Sequence, residues 1–214
     1  MSNKNKTYLV TGGSGFIGLR LCNAIQSSGG NLQLILRKKN KLIKCKQFIM
    51  NLDSEEIDNN AFLNVDTVFH LAGYAHDTNK TQSEEKYRRV NIDFTLQVAR
   101  LAIKNKVKKF IFISSVKAGG EIISDRCQNE NDQNESNSLY GKTKRFAELE
   151  LLNLCRDNNI HISIIRPSLV YGPGVKGNLK IMLKAIKKGW FPPLPEIDNK
   201  RSMIHVDDLV KAIL

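Results

Sequence analysis

Short apolar runs alternate along this chain with longer stretches in which apolar residues return every three or four positions. Tyr8-Leu9-Val10 is such a run, and it is followed by apolar positions at Phe16, Ile17, Leu19, Leu21, Ala24 and Ile25 at helical spacing. Read this way, the pattern predicts strands near 7–11, 32–36, 47–50, 66–70, 109–114 and 161–165. It predicts helices near 15–28, 83–105, 138–157, 177–188 and 206–214, with Leu149, Leu152 and Leu154 on or near the buried side of the third. Regular alternation of strand and helix argues for βαβ units and an α/β fold, a doubly wound parallel sheet with helices on both faces. There is no internal repeat and no flexible interdomain linker. The most polar stretch, Glu121 to Ser138, reads as a loop beside the site described next and as a candidate substrate lid.

The turn after the first strand carries Thr11-Gly12-Gly13-Ser14-Gly15-Phe16-Ile17-Gly18. Gly12 permits a tight turn, Gly15 lets backbone approach a pyrophosphate, and Gly18 lets the helix pack close to the sheet. The anion would sit on the free N–H groups of the helix start, beside Phe16 and Ile17. Glycine-rich turns are common, so the flanking strand and helix give this one its weight. The end of the second strand runs into Arg37-Lys38-Lys39-Asn40-Lys41, with no acid for a ribose 2′-hydroxyl. An arginine there suits a 2′-phosphate, which favours NADP(H) over NAD(H) as the NAD(P) cofactor.

Farther along, Phe110-Ile111-Phe112-Ile113 ends in Ser114-Ser115, and Tyr140-Gly141-Lys142-Thr143-Lys144 opens the third predicted helix. Tyr140 and Lys144 are i and i+4 and share a face. An ammonium beside a phenol is expected to lower its pKa from about 10, so that Tyr140 can exchange a proton with a sugar hydroxyl. Ser115 would hydrogen-bond the same oxygen, at the strand ends where open α/β sheets place their sites.

Together these motifs resemble the extended short-chain dehydrogenase/reductases, in the NAD-dependent epimerase/dehydratase group, over nearly the whole chain. Asp66 to Gly73 looks like the fourth strand and cofactor-lining turn of that family, Val90 to Thr95 like its central helix, and Arg166 to Gly174 like its passage from cofactor to sugar-nucleotide site. Arg201 to Leu209 looks like a late family segment. The resemblance implies a Rossmann fold, with residues 1–166 binding NAD(P) and 167–214 beginning a sugar-nucleotide lobe. It places Asn51, where many members have Asp, and Leu52 near the adenine, and Leu71, Ala72 and Gly73 along the cofactor. His70 and His76 then belong to the cofactor-side turn rather than to a metal. Gly174 to Asn178, Pro192 to Pro195 and Asp198 to Ser202 are most similar to members acting on UDP-sugars in surface-polysaccharide synthesis. There Asn178 would touch the sugar diphosphate and Arg201 its phosphates. Dehydratase members carry an Asp-Glu pair directly after the catalytic hydroxyl residue; Val116 and Lys117 stand there instead, which disfavours elimination. The expected activity is thus C4 epimerisation of a UDP-hexose or reduction of a UDP-4-keto-sugar. A non-catalytic dinucleotide-binding protein is the alternative from another class. A homodimer is expected through the helices at 83–105 and 138–157. The chain stops inside the last helical pattern, where the resemblance implies a longer lobe.

Composition narrows the alternatives. With 214 residues, 41% of them hydrophobic, the chain can bury a full core. The net charge of +12 suits anionic substrates, but the basic residues are scattered without interleaved aromatics, so no nucleic-acid partner is expected, and Trp190 and Phe191 read as core or rim. Cys22, Cys45, Cys127 and Cys155 lack zinc or disulfide spacing and fit a reducing cytoplasm; no metal is expected. No apolar run reaches the ~18 residues that span a bilayer, and Met1-Ser2-Asn3-Lys4 opens no signal peptide, so no membrane insertion is expected.

Overall fold

The computed structural model describes residues 6–52, 56–75, 83–121, 126–190 and 201–214; His76, Phe191, the 192–195 and 198–200 stretches and the first four residues lie outside them. Six strands form one sheet: β1 (Thr7–Thr11), β2 (Asn31–Leu36), β3 (Lys46–Ile49), β4 (Thr67–His70), β5 (Lys109–Ile113) and β6 (His161–Ile165). Their order is β3-β2-β1-β4-β5-β6 and every pairing is parallel. The order reverses between β1 and β4, and open sheets of this kind take their ligands beyond the strand ends at that point.

The central strands are covered on both faces, and their period of two divides the core. Leu9, Phe110 and Phe112 point into one layer, which packs α3 (Phe94–Lys104) and α4 (Leu139–Arg156) through Leu96, Val98, Ala147 and Leu151. Val10, Ile111 and Ile113 point into the other, which packs α1 (Phe16–Ser27) and the closing helix α6 (Val206–Ile213) through Leu21, Ile25, Leu209 and Ile213. An ion pair between Arg20 and Asp207 also joins α1 to α6, at 2.6 Å.

Four expectations need correction. The helix expected over 83–105 is not continuous. A short α2 (Glu84–Arg88) passes through a π-turn at Arg89–Asp93 before α3 begins. Asn91 sits in that turn, fully buried, and its side chain serves neighbouring elements. Second, α4 buries Thr143, Lys144, Ala147, Leu151 and Cys155, while Leu149 and Leu152 are each 43% exposed. Apolar residues occur on both sides of this helix, and packing against α3 and the sheet selects the stripe with the small Ala147. Third, Leu169–Tyr171 and Met203–His205 form an unforeseen pair of parallel strands, β7 and β8; three residues are too few to show a period. Fourth, Trp190 lies 67% exposed beyond α5 (Asn178–Lys187), a helix with no buried residue, so it is not core.

Candidate active site

The glycine loop bridges β1 and α1, and its glycines are required by contact. Gly12 has φ +73°, and a Cβ there would lie 2.8 Å from the Ala72 nitrogen. A Cβ on Gly18 would lie 2.2 Å from the Gly12 carbonyl oxygen, and one on Gly15 would lie 3.1 Å from it. The loop therefore rests directly on the turn after β4. Gly15 precedes α1 with no side-chain cap and no acid in the first turn, so the leading N–H groups stay open to an anion. Phe16 and Ile17 are partly buried in that first turn.

Around this loop stand the other expected cofactor residues. Arg37 is exposed just past β2, Asn51 is exposed and Leu52 partly buried past β3, and Leu71, Ala72 and Gly73 follow β4 directly. Gly73 is exposed, and a Cβ on it would come within 3.1 Å of Asn91 Oδ1 and 3.3 Å of Lys144 Nζ. The turn thus meets the central helix and the lysine of α4 at one point. The Ser114 hydroxyl is buried with no hydrogen-bond partner among the described residues. A glycine-lined cradle, an uncapped helix start and this spare hydroxyl fit a dinucleotide.

Ser115 caps the short 3₁₀ turn Val116–Gly119, accepting from the Lys117 N–H at 3.3 Å. Its hydroxyl neighbours the Tyr140 phenol and favours the phenolate form. Tyr140 is placed by the start of α4, where the Ser138 hydroxyl accepts from the Gly141 N–H at 3.1 Å. Gly141 is obligatory, since a Cβ would lie 2.1 Å from Ser136 Oγ. Lys144, 3% exposed, donates from Nζ to the Ile113 carbonyl at 2.9 Å and sits 4.4 Å from the Phe112 ring centroid. Ser115 and Tyr140 are neighbours, and Lys144 follows Tyr140 by one turn of α4. Asn178 and Arg201 are exposed, at the start of α5 and ahead of β8.

The electrostatics differ from the expectation. Burial pushes the Tyr140 phenol up from its ordinary value; the nearby Ser115 hydroxyl pulls the other way, and the nearby Tyr87 adds to the rise. Burial also lowers Lys144 to about 7, against the opposing charge of Glu148. Burial that takes Lys144 to about 7 removes much of its charge at neutral pH, and burial of the phenol itself sets the direction of the Tyr140 shift. The consequence for stability has a definite sign. The unfolded lysine titrates near 10.4, so between about pH 7 and that value the unfolded chain binds more protons and stability rises with pH. Lys144→Met is expected to flatten that rise in melting temperature. Equal slopes for the two proteins would place Lys144 in water.

Sequence reasoning passed over the groups that hold this set. Asn91 accepts from the Tyr74 N–H at 2.8 Å and donates from Nδ2 to the Tyr74 carbonyl and to Thr143 Oγ1, each at 3.1 Å. Glu148, 1% exposed, accepts from Arg166 Nε at 2.9 Å and from Arg145 at 3.3 Å. Polar residues on the buried stripe of α4 were the available signal. Arg166 also donates to Gln133 at 3.2 Å, where the 128–133 loop walls a cavity of about 540 Å³ with Glu148, Leu152 and Ile164. The described part of the polar loop therefore packs on this ion pair.

Val116 and Lys117 are both exposed and bring no carboxylate beside Ser115. Among the described residues no cluster of three or more His, Cys, Asp or Glu could hold a metal, and no helix is long and apolar enough to cross a membrane.

Residues 8–214 match the model of the NAD dependent epimerase/dehydratase family. The UDP-glucose 4-epimerase of Vibrio cholerae is 32% identical over 98% of this chain and 66% of its own length. The N-acetyl-alpha-D-glucosaminyl-diphospho-ditrans,octacis-undecaprenol 4-epimerase of Escherichia coli O157:H7 is 30% identical over 98% of this chain and 62% of its own. The chain thus spans less than two thirds of either relative. The structure of MoeE5 in complex with UDP-glucuronic acid and NAD superimposes with a TM-score of 0.84, at 26% identity, over 96% of this chain and 70% of that one.

Proposed function

Since the chain belongs to the NAD dependent epimerase/dehydratase family, we propose that it acts at C4 of a UDP-hexose by hydride transfer with NAD(P), in surface-polysaccharide synthesis. The observation that carries this reading is the neighbouring hydroxyls of Ser115 and Tyr140, with Lys144 reaching the turn at Gly73. Residues 1–166 hold the dinucleotide, and 167–214 begin the sugar-nucleotide lobe, with Asn178 toward the diphosphate and Arg201 toward its phosphates. When bound, the nicotinamide dinucleotide supplies the hydride acceptor and donor for C4. The open N–H groups after Gly15 receive its pyrophosphate, and Asn51, Leu52, Leu71 and Ala72 flank the rest. Tyr140 moves the O4 proton and Ser115 orients O4. Charged or neutral, the Lys144 amine has at least two N–H groups; one goes to the Ile113 carbonyl, which leaves at least one for the ribose.

The reductase form of this reading has two observations of its own. Tyr140, its phenol pushed up by burial, stands protonated at neutral pH and ready to give its proton to a 4-keto oxygen. Arg37 is exposed at the end of β2 with no acid beside it, which suits the 2′-phosphate of NADP(H). Arg37→Asp is expected to shift preference from NADP toward NAD, by removing the phosphate partner and adding a carboxylate for the 2′-hydroxyl. Titration of both proteins with both dinucleotides decides it; equal NADP affinity would reduce residues 37–41 to a solvated loop.

The protein is proposed to work in the cytoplasm, where its four free thiols would stay reduced. It is also proposed to pair as a homodimer through the helices at 84–104 and 139–156. Phe146, Leu149 and Leu152 stand 50%, 43% and 43% exposed on α4, an apolar surface of the kind that marks an interface. Turnover with a panel of UDP-hexoses and UDP-4-keto-sugars separates epimerase, reductase and non-catalytic binder. Dinucleotide binding without turnover on any of them would favour the binder.

A further inference from the structure

β4 ends in a histidine that has no exposed surface and lies among three phenylalanines. The His70 ring centroid is 5.5, 6.0 and 5.7 Å from those of Phe94, Phe110 and Phe112. Both ring nitrogens nevertheless have partners: Nδ1 lies 2.8 Å from Thr11 Oγ1, and Nε2 lies 2.9 Å from Thr95 Oγ1. A hydroxyl carries one proton, and Thr95 spends its own on the Asn91 carbonyl at 2.9 Å. Thr95 can then only accept from His70, so Nε2 bears the proton. Burial and the facing Lys144 keep the imidazole neutral, so Nδ1 is bare and accepts from the Thr11 hydroxyl. Thr11 Oγ1 in turn accepts the Ala72 N–H at 3.2 Å.

The result is one directed chain, from the Ala72 N–H through Thr11, His70 and Thr95 to the Asn91 carbonyl. Bonds aligned in this way polarise one another, and a buried network is costly to leave half satisfied. Its ends are telling. Ala72 is the residue on which Gly12 rests, and Asn91 holds both polar groups of the Tyr74 backbone and Thr143, the neighbour of Lys144. We propose that His70, as its Nε2–H tautomer, is a positioning residue that registers the Leu71–Gly73 turn against the glycine loop, the π-turn and α4. A phenylalanine would fill the same apolar cage without joining anything. The link to dinucleotide affinity rests on reading these elements as the cofactor site; the tautomer and the hydrogen-bond chain do not.

The test uses protein labelled with ¹⁵N in its histidines. Imidazole nitrogen shifts should show His70 protonated at Nε2, bare at Nδ1, and unchanged across the range in which an ordinary histidine titrates, near pH 6.5. A proton on Nδ1, or titration at the ordinary value, overturns the assignment. His70→Phe and Thr95→Val should each speed hydrogen exchange at the Ala72 amide and weaken dinucleotide binding by roughly tenfold or more, the size of one lost buried hydrogen bond. His70→Gln, which can return an N–H near the Nε2 position, should recover part of the affinity. A folded His70→Phe protein with unchanged affinity and unchanged Ala72 exchange refutes the positioning role. If His70→Phe does not fold, the smaller Thr95→Val change is read in the same two ways. If the unaltered protein binds no dinucleotide, the functional reading fails, and the shifts and the Ala72 exchange still decide the role of His70.

Discussion

Tyr140→Phe leaves the fold and the dinucleotide affinity in place and lowers turnover about 10²–10⁴-fold, the usual contribution of a positioned acid or base. The change removes one oxygen. The ring keeps its place at the start of α4, which is set by the Ser138 cap and by the close contact of Gly141 with Ser136. Ser115 still accepts from the Lys117 N–H. Lys144 is held by the Ile113 carbonyl and the Phe112 ring rather than by the phenol, so its reach toward Gly73 survives. Melting temperature, dinucleotide titration and turnover on the same preparation separate the effects. Near-normal turnover in the Phe variant would remove Tyr140 from the chemistry.

The second large effect is expected from a single added methyl. In Gly18→Ala the new Cβ falls 2.2 Å from the Gly12 carbonyl oxygen and 2.8 Å from the Gly13 Cα. Both obstacles are backbone, so the first turn of α1 must separate from the loop. Gly12 cannot yield toward the sheet, because it already rests on Leu71 and Ala72. Overpacking of this kind costs about 1–3 kcal/mol of stability. The loss of binding should be larger than the loss of stability suggests, since the displaced groups are the ones proposed to receive the pyrophosphate; a fall of roughly a hundredfold in dinucleotide affinity is expected. Calorimetry with NADPH and NADH, alongside a thermal melt, measures both. A variant that melts lower but binds normally would show that the loop packs the fold and holds no phosphate.

What the sequence reveals depends on where each signal is stored. The six strands of the sheet could be read because β1, β4 and β5 are buried on both faces and so appear as unbroken apolar runs between turns. The glycine loop and the Tyr140/Lys144 spacing could be read because their geometry is local. The break at Arg89–Asp93 could not, because Asn91 makes its bonds to Tyr74, 17 residues away, and to Thr143, 52 residues away. The stripe of α4 was misplaced toward Leu149 and Leu152 because leucines occur on both sides of the helix, and only packing chooses between them. The direction of the Tyr140 shift was misjudged for a related reason. Helical spacing tells which charge is near, whereas desolvation depends on how the whole fold covers the group. Glu148 and Arg166 pair across 18 residues, and their meeting awaits the return of β6 to the sheet.

The central claim is that Ser115, Tyr140 and Lys144 serve redox chemistry at the C4 carbon of a nucleotide sugar, and C4-deuterated UDP-hexose tests it most directly. Mixed with the protein and oxidised dinucleotide, it should reduce the nicotinamide in a single turnover, slow that step relative to the unlabelled sugar, and leave deuterium on the nicotinamide ring. The Tyr140→Phe protein should bind both components and transfer almost none. Bound dinucleotide that takes no deuterium from any UDP-hexose, and gives none back to a UDP-4-keto-sugar when supplied as the deuterated reduced form, would contradict the account.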